Sequence, residues 1–171
     1  GLVLFLGVPL LNNFSARDND GGAATRLTHS FNLTKDQARR RNRAYIVDFE
    51  FGLDTVGGLM TVSESRRSSC RATVEEREAG NTVVEIISEF AFGLGCIATW
   101  EQRNAGQTYR GAVERHVGLT GWSRNGGVVA SSNLSLCINP DGALSMIVGQ
   151  AIEPLSGRLN LQVQKFALSG G

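Results

Sequence analysis

The sequence predicts an all-β fold: an antiparallel meander of about eight strands closed as a barrel, with a two-sheet sandwich as the alternative. Three observations carry that expectation. Turn signals recur through residues 44–168: Gly57-Gly58, Gly80-Asn81, Asn104-Ala105-Gly106, Asn125-Gly126-Gly127, Asn139-Pro140-Asp141-Gly142 and Pro154-Leu155-Ser156-Gly157. Gly and Asn tolerate the positive φ of tight turns, and Pro presets the first turn position. The segments between them are rich in Val, Ile, Leu, Phe and Thr, and many alternate apolar with polar, which is the period of a half-buried strand.

The chain divides into two stretches, 1–43 and 44–171. Residues 1–11 are apolar and strand-like, with Pro9 near the end. Residues 12–30 carry Asn12-Asn13 and Asp18-Asn19-Asp20-Gly21-Gly22 and read as a loop. Thr34 with Gln37 forms a capping box, so a short helix is expected near 35–43.

The expected β domain opens with 44–51, where Tyr45, Val47, Phe49 and Phe51 face one way and Asp48 and Glu50 the other. Further strands are expected at about 58–64, 69–77, 82–101, 107–123, 127–138, 142–151 and 156–168. In the fourth, Val84, Ile86, Phe90, Phe92 and Leu94 are read as one face, opposite Glu85 and Glu89. Gly93 and Gly95 mark a bulge or corner there. In the fifth, Tyr109, Val113, Val117 and Leu119 point in, and Arg110, Glu114 and His116 out. Sequential one-sided strands bury their apolar faces by closing on themselves, which also removes exposed edges.

A chain of 171 residues suffices for one domain with a real core. A net charge of +1 argues against nucleic acid or a membrane surface as the partner. No apolar run reaches the length of a spanning helix.

The 3 cysteines, Cys70, Cys96 and Cys137, allow at most one intramolecular disulfide. Hairpin geometry puts Cys96 and Cys137 two strands apart, roughly 9–10 Å. A disulfide needs Cα atoms within about 7 Å. A Cys70–Cys96 bond stays open, and three free thiols, two of them buried, are the expectation.

Signals for chemistry are sparse. No P-loop, dinucleotide fingerprint or nucleophile elbow occurs, so no catalytic residue and no cofactor are expected. The Asp18–Gly22 run lacks the later ligands of a calcium loop, so no metal is expected. Cys137, Glu114 and His116 could be grouped for thiolate chemistry, but their parity fits a solvated face better.

Three functional classes remain open. In the first, a non-enzymatic structural subunit self-associates into a homo-oligomer or larger assembly. Its contacts would be Leu2, Leu4 and Leu6 of the apolar terminus, through strand addition, and the cluster Arg39, Arg40, Arg41 and Arg43. In the second, a barrel binds an apolar small molecule among Phe49, Phe51, Phe90, Phe92, Tyr109 and Met146. In the third, such a cavity acts as a cyclase or isomerase. Three N-glycosylation sequons, Asn13-Phe14-Ser15, Asn32-Leu33-Thr34 and Asn133-Leu134-Ser135, lean towards an extracellular protein.

Overall fold

The computed structural model describes residues 2–3, 14–15, 23–51, 58–93, 112–115 and 117–165. The elements run β1 (Leu2–Val3), β2 (Phe14–Ser15), α1 (Ala23–Arg41), β3 (Tyr45–Glu50), β4 (Leu59–Ser65), α2 (Cys70–Glu78), β5 (Val84–Gly93), β6 (Ala112–Arg115), β7 (Val117–Arg124), β8 (Leu134–Ile138), β9 (Leu144–Val148), β10 (Ala151–Pro154) and β11 (Leu159–Lys165). The architecture is mostly β and largely antiparallel, with two helices.

The strands follow the path β1-β11-β7-β5-β4-β3-β8-β9-β10, with β2 beside β11 and β6 beside β5. Among the described residues only those last two pairings are parallel. The expected barrel is not formed. An up-and-down barrel would pair its first strand, β3, with its last, β11. Instead β3 pairs with β8, Tyr45 opposite Ile138 and Phe49 opposite Leu134, while β11 pairs with β7. The β8–β9–β10 meander thus extends the sheet beyond β3, and among the described residues β1 and β10 end an open path. The sheet curls so that both arms line one core. Leu119, Leu159, Leu161 and Val163 of β7 and β11 join Val47, Met60, Val62, Leu136 and Met146 in one buried cluster. The arrangement is sandwich-like.

The 19-residue α1 covers this core, and it is far longer than the helix expected at 35–43. Leu27, Phe31, Thr34 and Ala38 recur at helical spacing and are all buried. The helix stops at Asn42, whose φ of 52° is left-handed. Arg43 N–H then donates to the Ala38 carbonyl at 3.2 Å, which is a Schellman closure. Arg39, Arg40 and Arg41 in the last turn suit the negative end of the helix dipole.

The strand expected at 69–77 is instead α2, on the other face of the sheet. Ser69 caps it, its side chain accepting from Ala72 N–H. The alternation of Cys70, Ala72 and Val74 resembled a strand, but the Glu-Glu-Arg-Glu run that follows favours a helix. This change of element overturns the expectation of three free thiols. Cys70 and Cys137 form a disulfide across 5.9 Å between Cα atoms, because α2 crosses the sheet and sets its first residue on β8. Hairpin spacing gave no access to that pairing. Ala44, Ile46, Cys70 and Cys137 make a second small core under α2.

β5 also departs from the expected pattern. Ser88 pairs with Val62 and Ile86 with Ser63, so Ile87 is an extra residue in a bulge. The register therefore pairs Ile86 with Ser63 and Phe90 with Met60. Ile87 packs on the main core, and Ile86 turns to the α2 side.

Candidate functional site: an open cleft beside the short helix

The 9 residues of α2 extend about 13 Å, whereas the 10 residues of β5 extend about 33 Å. The short helix cannot cover its sheet face, and the uncovered part is a cleft of about 390 Å³. β3 supplies Ile46, Asp48 and Glu50, and β4 supplies Thr61 and Ser63. β5 adds Val84 and Ile86, and Asn133 and Ser135 close the far side. Arg77 reaches it from the last turn of α2. Arg77 and Ser135 also border a second hollow of about 330 Å³, with Val74, Glu78, Ile147 and Gly149.

The chemistry of this cleft is mixed. The Ser135 hydroxyl donates to Asp48 Oδ1, which holds the carboxylate against the floor. Thr61 and Ser63 offer hydroxyls, Arg77 offers guanidinium donors, and Asp48 and Glu50 offer acceptors. Val84 and Ile86 form an apolar edge between them, above the buried Ile46. Ile86 is 42% exposed, which is unusual for a sheet isoleucine and follows from the bulge.

The residues expected to line an apolar cavity are placed differently. Phe49 and Met146 are buried in the main core, with Phe51 packed against it. The Phe49 and Phe51 rings stack with centroids 6.3 Å apart. Leu27 and Phe31 from α1 fill the same cluster. Phe49 also borders the cleft. Phe90 and Phe92 lie on β5, and Tyr109 lies outside the described residues.

Of the residues expected at an interface, Leu2 lies in β1 and pairs with Val163 of β11 in the same chain. Leu4 and Leu6 lie outside the described residues. The arginine cluster is exposed, and two of its members pair with one buried carboxylate. Glu64, its side chain 9% exposed, meets Arg41 at 2.7 Å and Arg43 at 3.5 Å. The Tyr45 hydroxyl donates to the same Glu64 carboxylate at 2.8 Å. Burial, and then the Glu64 bond and charge, push the Tyr45 phenol up to about 12. Arg40 pairs with Asp36 one helical turn earlier at 3.0 Å. Arg39 is exposed, and burial followed by the Arg39 charge lowers the pKa of nearby Lys35.

Cys137 has no free thiol, so it cannot act as a nucleophile with Glu114 and His116. His116, Cys96 and the Asp18–Gly22 run lie outside the described residues, and His29 is exposed on α1. No group of three or more His, Cys, Asp or Glu among the described residues is arranged to hold a metal ion. No described helix is long and apolar enough to cross a membrane. Comparison with known protein families, with curated proteins and with solved structures gave no match.

Sequence reasoning assigned Asp48 and Glu50 to a polar face but did not gather them with Thr61, Ser63, Arg77 and Ser135. The available signal was the hydroxyl content of 61–65 opposite the Asp48–Glu50 face. Recognising it required knowing that β3 and β4 are neighbours and that α2 is short.

Proposed function

We propose that this chain is a non-enzymatic binding domain whose ligand lies in the cleft beside α2. The lining carries the reading. Acceptors on Asp48 and Glu50, donors on Arg77, the Thr61 hydroxyl and the apolar edge of Val84 and Ile86 share one open surface, floored by buried Ser63 and Ile46. Such a surface suits a neutral, hydroxyl-rich molecule with one apolar face, as a saccharide has. The Asp48–Ser135 bond holds the carboxylate in place before the ligand arrives, which reduces the ordering cost of binding. The cation and the carboxylates in the lining leave no strong net field, so affinity rests on hydrogen bonds and apolar contact rather than on ion capture.

The test is a titration of the ¹⁵N-labelled chain, made in bacteria, with a panel of neutral mono- and disaccharides. The expected result is a set of saturable shifts at Thr61, Ser63, Arg77 and Ser135. Shifts confined to other surfaces, or none at millimolar sugar, contradict the reading.

Self-assembly is a second reading, favoured by the open sheet path. Among the described residues, β1 uses one edge against β11 and has no strand on the other. A neighbouring copy could add there, with residues 1–11 as the contact. The solution mass of the full chain and of a chain beginning at Arg17 tests this. An oligomer that dissociates on truncation supports assembly, and a monomer in both cases removes it.

A further inference from the structure

We propose that Asn133 is an acceptor for an N-linked glycan. Asn133-Leu134-Ser135 is a complete sequon, with Leu134 in the middle and Leu136, not proline, after it. Its geometry suits a large substituent. Leu134 is 2% exposed and anchors the start of β8 in the core, while Asn133, just before the strand, is exposed. The Trp122 indole N–H donates to the Ser132 carbonyl at 2.9 Å and fixes the approach to the strand. Asn133 is exposed, and no hydrogen bond or ion pair to another described residue would be displaced by a glycan there. It also stands on the lip of an open cleft, with room for the first sugars.

A second observation, independent of the motif, points to the compartment where such transfer occurs. The Cys70–Cys137 disulfide is buried, its residues 2% and 0% exposed, and it ties α2 to β8 inside a packed core. A core disulfide of this kind belongs to proteins folded under oxidising conditions, as on the secretory route. The sequon at Asn32 is placed less favourably. Asn32 already interacts within the protein, and its sequon lies inside α1, where Thr34 is 3% exposed.

The transfer needs a lipid-pyrophosphate-linked oligosaccharide as donor. Asn133 Nδ2 forms a bond to the anomeric carbon, and the bond from that carbon to the pyrophosphate oxygen breaks. The lipid pyrophosphate leaves with the electron pair, and the amide gives up one proton. No oxidation or reduction is involved. The substituent is bulky, hydrophilic and confined to the surface.

The experiment expresses the full chain behind a secretion signal in a eukaryotic host and maps its peptides with and without peptide N-glycosidase. A glycan on the Asn133 peptide is expected, with the enzyme leaving aspartate at that position. Asn133→Gln removes that mass, and Ser135→Thr retains it. An unmodified Asn133 in the secreted wild-type chain overturns the proposal, including the case in which sugar is found only on Asn13 or Asn32. The wild-type map decides even if the Gln variant is not secreted. Because the cleft titration uses unglycosylated protein, either reading can fail without the other.

Discussion

The two faces of the curled sheet are built from similar strands and end up with opposite characters. On the α1 face, a 19-residue helix lays Leu27, Phe31 and Ala38 over Tyr45, Val47 and Phe49, and the result is a dry core. On the α2 face, a 9-residue helix is fastened at one end by a disulfide and covers only part of the strands. The remainder keeps Asp48, Thr61 and Ser135 in contact with solvent. The length of the covering helix decides which face becomes core and which becomes a site. The bulge at Ile87 sharpens the contrast, since it sets Ile86 opposite Ser63 on the α2 face.

The contrast breaks most severely from the α1 side. Phe31→Ala should cost about 3–5 kcal/mol, because a fully buried ring is replaced by a cavity under the helix. Urea unfolding measures it, and a loss below about 1 kcal/mol would show that α1 does not seal this face. The next effect comes from the α2 side. Replacing Cys70 and Cys137 together by Ala opens a loop with a sequence separation of 67 residues and should cost about 2–5 kcal/mol. Amide exchange should rise first in α2, because apart from the disulfide only Thr73, Val74 and a few polar bonds hold it down.

A smaller effect concerns the join between α1 and the sheet. Glu64→Gln removes the charge that Arg41 and Arg43 share and should cost about 1–3 kcal/mol. Tyr45 adds a pH signature. Its phenol is raised in the folded chain to about 12, against an ordinary 10.0. The folded state therefore holds this proton more tightly than the unfolded one. The stability it contributes is complete below about pH 10 and is lost as pH rises towards 12. Tyr45→Phe should flatten the decline of stability over that window, and an unchanged slope would show that another group titrates there.

How far these features were readable in the sequence follows the same division. β3 was legible because Val47, Asp48, Phe49 and Glu50 alternate, buried with half-buried, although Ile46 is buried on the second face. The second half of α1 overlaps the helix expected at 35–43, but Thr34 is no cap: it lies inside the helix and its hydroxyl donates to the Ser30 carbonyl. The first half of α1 was hidden, because the turn-forming residues before Ala23 masked the Leu27–Phe31–Ala38 stripe. α2 was misread because three alternating residues fit a strand and a helix equally well at that length. The disulfide followed from α2 and was lost with it. The cleft was the least legible feature, since it depends on non-sequential pairing of β3 with β8 and on a helix that stops early. The bulge at Ile87 was invisible as well, because continuous alternation through Ile86 and Phe90 was the simpler pattern.

The smallest effect on stability is also the sharpest probe of the central claim. Ile86 is already part exposed, so Ile86→Trp should leave the unfolding midpoint within about 0.5 kcal/mol of the wild type while filling the cleft. The measurement is the saccharide titration of wild type and Ile86→Trp side by side, followed at Thr61, Ser63 and Arg77. Saturable shifts in the wild type that disappear in the variant, at equal stability, are the predicted result. Equal binding by both proteins would place the ligand elsewhere and contradict the account.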